Sequence, residues 1–215
     1  MSLAKCKICR RAGQKLFLKG ERCFSPKCAI VRRNYPPGVH GPQSKGRRIT
    51  TEFGKQLAEK RKIQSAYLLS EKQFASYIKK GIALGREGLL QKLTLPDFVA
   101  QKLELRLDSA VFRTGFVVSR SVARHLVTHG HFLVNGERVD IPSYEVRVGD
   151  EVSVRSESMN LAPFSDLKVK LAVAKPSSWI TLDKEKMSAK ISGIPNLEET
   201  GFIGDINSVI GFYTR

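Results

Sequence analysis

The stretch SRSVARHLVTHGHFLVN, residues 119–135, holds a helix start, a helix stop and the first strand of a hairpin. Ser119 follows the apolar Phe116-Val117-Val118 and is placed to accept a hydrogen bond from a free amide of the first helical turn, which is the N-cap role. Val122, Ala123, Leu126 and Val127 fall on one helical face, with Arg120, Arg124 and His125 on or beside the other. Gly130 supplies the positive φ that ends such a helix, Phe132-Leu133-Val134 follows as a short strand, and Asn135-Gly136 suits a type I′ hairpin. An amphipathic helix with a basic outer face is thus pinned against a hairpin. Guanidinium groups held in such a row suit a phosphate backbone better than a small-molecule cleft.

Outward from this stretch, the alternation of Arg138-Val139, Tyr144 to Val148 and Val152 to Val154 predicts further strands, with Val148-Gly149-Asp150 as a turn. Leu161 to Ala174 is read as a helix, and Trp179-Ile180-Thr181-Leu182 as one more short strand. On the amino-terminal side, Asp97 precedes a single helical segment through Val99, Leu103, Leu107 and Val111 to Gly115. Pro96 interrupts a short helix suggested by Leu89, Leu90 and Leu93. Helical patterning also starts at Thr51, and Ser70-Glu71-Lys72-Gln73 is a capping-box signature opening the helix of Phe74, Tyr77 and Ile78. The apolar residues Ile206 to Tyr213 are expected to pack back onto the body.

The charge is unevenly distributed. The chain of 215 residues carries a formal net charge of +17, with 41% hydrophobic residues supporting a folded core. Residues 1–64 hold 17 basic and three acidic side chains, whereas the remainder is nearly balanced at +3. The amino-terminal third is therefore a polyanion-binding region. No segment approaches the ~20 consecutive apolar residues of a membrane span, and MSLAKCKICRR lacks the apolar core of a signal peptide. An intracellular, nucleic-acid-bound protein is the first reading.

All four cysteines lie in the first 28 residues, as Cys6-x2-Cys9 and Cys23-x4-Cys28 separated by thirteen residues. Two close pairs across a loop can place four thiolates around one structural Zn²⁺, leaving no open position for catalysis. Two disulfides would suit a secreted chain, and a redox CxxC would not need the second pair. Lys5, Lys7, Arg10, Arg11, Lys15, Lys19, Arg22 and Lys27 interleave with these cysteines, and Arg32-Arg33 leads into the stiff turn Asn34-Tyr35-Pro36-Pro37-Gly38. The segment from Asn34 to Thr50, with Lys45, Arg47 and Arg48, is too poor in apolar residues for a core and is expected to order on its partner.

Other constellations are weaker. His125-x3-His129 with His131 has helical metal-site spacing but no carboxylate or cysteine beside it, so RNA contact or surface placement is preferred. Lys186-Met187-Ser188-Ala189-Lys190 is superficially similar to the KMSKS loop of class I aminoacyl-tRNA synthetases, without the nucleotide-binding domain that loop requires. No Walker loop, GxSxG elbow or Rossmann fingerprint occurs, so no enzyme is expected.

Arg106-Leu107-Asp108, Arg113, Ser119-Arg120, Ala123-Arg124 and His129-Gly130-His131 to Val134-Asn135-Gly136 resemble the RNA-binding module named after small-subunit ribosomal protein S-four. The CxxCRRxGxKLFLKGERCxSPKCA pattern from Cys6 to Ala29, Asn34 to Gly38 with His40-Gly41, Ile141 to Tyr144 and Phe212 to Arg215 are similar to that ribosomal family's zinc-bearing bacterial form. The chain departs from the family pattern over Gly85 to Lys102, at Glu145, where a basic residue is common, and at Gly211.

The resemblance implies an α+β fold: a discontinuous helical domain with an amino-terminal zinc knuckle, and an inserted small α/β RNA-binding domain made of a helix pair and short antiparallel strands. The expected divisions are 1–50 for the knuckle and basic segment, 51–104 with 202–215 for the helical domain, 105–160 for the module and 161–201 for its extension. It further implies one structural Zn²⁺ on Cys6, Cys9, Cys23 and Cys28. RNA contacts would fall to Arg10, Arg11, Lys15, Lys19, Arg22, Lys27, Arg32, Arg33, Lys45, Arg47 and Arg48, and to Arg106, Arg113, Ser119, Arg120, Arg124, His125, His129, His131 and Asn135. Replacing Arg120 and Arg124 with Ala is then expected to weaken RNA binding and flatten its salt dependence.

The implied role is a structural component of the small ribosomal subunit in the bacterial cytoplasm. Such a component binds small-subunit ribosomal RNA at a helix junction of the 5′ domain, nucleates assembly, and lies at the messenger entrance beside proteins S-five and S-three, where it contributes to decoding fidelity. The alternatives are an RNA-modifying enzyme or a ribosome-associated RNA chaperone carrying the same module.

Overall fold

A computed structural model describes residues 5–43, 51–90, 93–167, 169, 171, 176–197 and 201–214. The chain forms two compact units, Met1–Arg86 with Ile203–Arg215, and Glu87–Phe202. The first unit opens with three short helices, α1 (Lys5–Ala12), α2 (Glu21–Phe24) and α3 (Ala29–Arg32), followed by α4 (Glu52–Ala66) and α5 (Glu71–Arg86). Thr51 caps α4 by accepting from Gly54 N, and the capping box is complete, with Ser70 Oγ accepting from Gln73 N and Gln73 Oε1 from Ser70 N. The carboxy-terminal helix Ile206–Tyr213 is capped by Asp205 and packs on α4 and α5, as the apolar run predicts. Ile63, Phe74, Ile78 and Val209 are fully buried in this unit.

A polar network fastens the carboxy-terminal helix. Glu71 accepts from Lys60 Nζ at 2.5 Å, Gln64 Nε2 at 2.7 Å and Tyr213 Oη at 2.8 Å. The Lys60 ammonium also lies 4.2 Å from the centre of the Phe212 ring. Burial works to raise the Glu71 carboxyl, but the bonds from Lys60, Gln64 and Tyr213 and the charge of Lys60 outweigh it and hold it below its ordinary value. Burial, and then Glu71, push the Tyr213 phenol well above its ordinary range. A depressed carboxylate stabilises the fold above its unfolded pKa and loses that contribution as pH falls through the folded value; a raised phenol holds its contribution below pH ~10 and loses it above. In urea unfolding, the stability gap between wild type and Glu71→Gln is therefore expected to shrink between about pH 6 and pH 3. A gap constant over that range would contradict the network.

The second unit contains α6 (Leu95–Glu104), α7 (Leu107–Arg113) and α8 (Arg120–Thr128), then β1 (Phe132–Val134), β2 (Glu137–Arg138), β3 (Glu151–Val154), β4 (Ile180–Asp183) and β5 (Ser188–Ile191). The carboxy-terminal helix of the first unit is α9. All strand pairs are antiparallel, in the order β2-β1-β3-β5-β4. Helices α7 and α8 pack against each other, and Ala110, Val127, Phe132, Val152, Ala189 and Ile191 share one fully buried core. The mixture of helices and antiparallel sheet fits the α+β class.

Several expectations are corrected here. The single helix over 97–115 is two helices, because the chain extends at Arg106 to pair with the 144–146 segment: Leu107 N donates to Tyr144 O at 2.8 Å and Val146 N to Leu105 O at 2.9 Å. Tyr144 to Val148 is correspondingly not a strand, and only the isolated bridge between Arg106 and Glu145 forms. Pro96 does not interrupt a helix but sits in the first turn of α6 behind the Thr94 cap, where a missing N–H costs nothing. Helix α6 packs on α7 and falls in the second unit rather than with 51–86; the 161–201 segment lies in that same unit, as an extension of the module would, with β4 and β5 completing the sheet. Residues 161–166 form turns; the rest of the expected helix over 161–174 includes 168, 170 and 172–174, outside the described residues. The KMSKS-like stretch is mostly β5, with Ser188 and Ala189 buried.

Candidate nucleic-acid interface

The amino-terminal knuckle is built around a very small core. Cys9, Leu16 and Leu18 are buried together, with Ile8, Ala12 and Ile203 against them. Cys6 and Cys9 lie on α1, Cys23 lies on α2, and Cys28 stands at the start of α3; all four are free thiols and all but Cys6 are buried. Lys19 N donates to Cys23 Sγ at 3.4 Å. Burial pushes the Cys9 thiol up, opposed by a backbone hydrogen bond at Leu16 and reinforced by the neighbouring Cys23, Cys6 and Cys28. Among the described residues, no group of three or more His, Cys, Asp or Glu side chains stands in metal-binding geometry.

So small a core leaves the cations outside. Arg11, Lys19, Arg22, Lys27, Arg32 and Arg33 are exposed and Lys15 is half-buried. Arg10 is different. Its guanidinium donates to Tyr35 O at 2.9 Å and Pro36 O at 3.1 Å and lies 4.6 Å from the Tyr35 ring centre, so it pins the Tyr35-Pro36 turn onto α1. Gly41 is required there because an added Cβ would sit 2.0 Å from Pro36 O. Lys45, Arg47 and Arg48 lie outside the described residues.

In the second unit the local geometry of residues 119–136 follows the sequence closely. Ser119 Oγ accepts from Val122 N. At the other end Gly130, with φ 71°, closes α8 with bonds from Gly130 N to Val127 O and His131 N to Leu126 O. Asn135 and Gly136 have φ of 52° and 84°, and Val134 pairs with Glu137 across them, as a two-residue primed turn requires. The Asn135 side chain donates to Asp150 Oδ1 at 2.8 Å and accepts from Glu151 N at 2.9 Å, which clamps the hairpin to β3. Ser119 and Asn135 are thus positioning residues.

The arginines divide in a way that helical periodicity does not reveal. Arg106 is 2% exposed and forms a two-pronged pair with Asp108, Nε to Oδ1 at 3.1 Å and Nη2 to Oδ2 at 3.0 Å. Glu104, fully buried, accepts two bonds from Arg113, at 2.8 and 2.6 Å, and one from Arg120 at 3.0 Å. Arg120 also stacks on Phe112, 4.7 Å from the ring centre. Arg106, Arg113 and Arg120 therefore hold the helices together rather than forming an outer row. Arg124 is half-buried, and His125 and His129 are exposed and edge to face at 4.4 Å. His131 follows at 6.2 Å from His129, with Nδ1 2.9 Å from Ser158 Oγ. Burial, then His129, Arg155, His125 and Arg138, hold the His131 imidazole below its ordinary value. The positive charge gathered around this imidazole by Arg138 and by Arg155, itself paired with Glu157, makes the end of α8 a place suited to an anion.

Sequence reasoning missed Arg138, Arg155 and Glu104. Arg138 packs on Gly130 so closely that an added Cβ would meet its Nε at 2.2 Å, and Arg155 N donates to His131 O. A conformationally special glycine beside a hairpin arginine was the available signal. Glu104 had none, since its partners are nine and sixteen residues away. Glu145, the departure from the family pattern, pairs with Lys102, itself in the atypical 85–102 stretch.

A helix pair docked on a short antiparallel sheet, with imidazoles and guanidiniums at the end of its second helix, defines the class of S4-domain proteins; residues 105–152 match the family described as "S4 domain". Residues 2–100 match "Ribosomal protein S4/S9 N-terminal domain". Over 98% of its length, and 96% of theirs, the chain is 42% identical to the small ribosomal subunit protein uS4 of Syntrophomonas wolfei, 44% to that of Thermus thermophilus and 45% to that of Desulfitobacterium hafniense. The chain belongs to the small ribosomal subunit protein uS4 family.

Proposed function

We propose that the chain is a structural, non-catalytic component of the small ribosomal subunit that binds small-subunit ribosomal RNA directly. Its similarity to relatives of that name over nearly the whole chain carries the reading. The exposed cations Arg11, Lys19, Arg22, Lys27, Arg32 and Arg33 give it a mechanism. Each cation that neutralises a phosphate releases condensed counterions, so affinity is bought from the entropy of salt and falls as salt rises. The S4 domain, with its rigid arginine-carboxylate interior, supplies shape. Filter binding to small-subunit ribosomal RNA across a salt series tests this, with a steep negative slope of log affinity against log salt expected. Binding indifferent to salt would contradict it.

The finer reading follows the family resemblance: a helix junction of the 5′ domain as the binding site, nucleation of assembly, contact with proteins S-five and S-three, a place at the messenger entrance, a contribution to decoding fidelity and a bacterial cytoplasmic location. Among the described residues no helix is long and apolar enough to cross a membrane. An RNA-modifying enzyme or a chaperone remains only as the outcome of a failed stoichiometry measurement.

The same proposal includes one structural Zn²⁺ held by Cys6, Cys9, Cys23 and Cys28. The donor set fits: four sulfurs suit a soft-accepting tetrahedral ion, and the core of Cys9, Leu16 and Leu18 is too small to hold three short helices unaided. Bound, the ion would tie α1, α2 and α3 to one point. Elemental analysis of the purified protein is expected to give about one zinc per chain, and chelation is expected to reduce helicity and RNA affinity together. Zinc-free protein with full helicity and affinity would contradict it.

A further inference from the structure

We infer that Phe17 and Phe24 form a stacking platform for an unpaired RNA base, a deepening that rests on the RNA-binding reading above. The two rings are 5.0 Å apart between centroids and inclined by 29°, so each covers one face of the other and leaves its remaining surface outward. Phe24 is 75% exposed and Phe17 38% exposed, in a knuckle that buries Leu16 and Leu18 on either side of Phe17. Phe17 also has φ 51°, a left-handed conformation unusual for a bulky side chain. Its backbone accepts the Gly20 N–H that closes the turn leading into α2. The knuckle thus holds a strained, water-facing aromatic where a polar residue or glycine would sit more easily.

The surroundings select the occupant. Lys15, Lys19, Arg22 and Lys27 lie within three residues of one or other ring along the chain, and Glu21 is the only acidic residue among the first 51. An apolar surface so flanked suits a ligand with a flat aromatic face on an anionic backbone, whereas an apolar helix from a protein partner would have to bury these cations. Stacking is indifferent to base identity, and its contribution adds to that of the cations without changing the number of phosphates neutralised.

That independence gives the test. Phe24→Leu keeps an apolar side chain but loses the ring face. In filter binding to small-subunit ribosomal RNA it is expected to lose about tenfold in affinity with an unchanged salt slope. Phe24→Trp is expected to bind like wild type, with its indole fluorescence quenched on RNA addition; the native Trp179 is only 3% exposed. Phe24→Leu binding as tightly as wild type, or an unquenched Phe24→Trp in a formed complex, overturns the platform while leaving RNA binding intact. Failure of the wild-type protein to bind would remove both. At 75% exposure, neither substitution disturbs a core.

Discussion

Glu104→Gln is expected to destabilise the S4-domain unit by about 3–5 kcal/mol, the cost of leaving buried charge without its partner. Gln has nearly the same volume, so no cavity opens. The loss is electrostatic: one carboxylate, fully buried, takes three hydrogen bonds from Arg113 and Arg120, whose side chains are only 18% and 12% exposed. With the charge removed, two guanidiniums converge on a neutral amide that itself presents N–H donors. For a unit of this size the melting temperature should fall by on the order of 10 °C or more. Replacing Glu104, Arg113 and Arg120 together with Met should recover most of that loss, because buried ion triads are often dispensable as a whole though not in part. A Glu104→Gln protein within about 1 kcal/mol of wild type would show that the triad is solvated rather than buried. Arg120→Ala should likewise lower stability, and the salt-slope effect expected of the Arg120 and Arg124 pair should reside in Arg124.

The second large effect concerns the knuckle. Replacing Arg22, Lys27, Arg32 and Arg33 together with Ala is expected to lower affinity for small-subunit ribosomal RNA by roughly two to three powers of ten near 0.1 M salt and to flatten the salt slope by roughly three. All four side chains are exposed and none has a carboxylate pair among the described residues, so the variant should fold and melt as wild type does. Removing Lys186 and Lys190, two cations exposed at the β4–β5 hairpin, is the control and should change affinity far less per charge removed. Equal effects per charge from both sets would mean that net charge, not the knuckle, governs binding. Arg10 is excluded from the set because its two bonds to the 35–36 backbone would confound stability with binding.

What could be read from sequence was local. The Ser119 cap, the Gly130 stop, the Asn135-Gly136 turn and the Ser70–Gln73 box all join residues within five positions of each other, so residue type and spacing determine them. The misreadings involve distant partners. Leu103, Leu107 and Val111 keep helical spacing, yet the helix breaks at Arg106 because a segment almost forty residues later supplies backbone partners. Strand β5 gave no alternating signal of its own and is a strand because β3 and β4 flank it. Periodicity also located Arg120 on a helix face without showing that its long side chain turns toward a buried Glu104. The knuckle was legible as a cysteine pattern and a charge density, whereas the aromatic pair between the cysteines became visible only through its exposure.

The copy number of this chain in high-salt-washed small ribosomal subunits tests the central claim most directly. One copy per particle, retained through the wash and accompanied by protection of 5′-domain ribosomal RNA, is the result expected of an integral rRNA-binding component. A sub-stoichiometric chain that washes away in moderate salt would contradict that role and point to a factor that visits the ribosome.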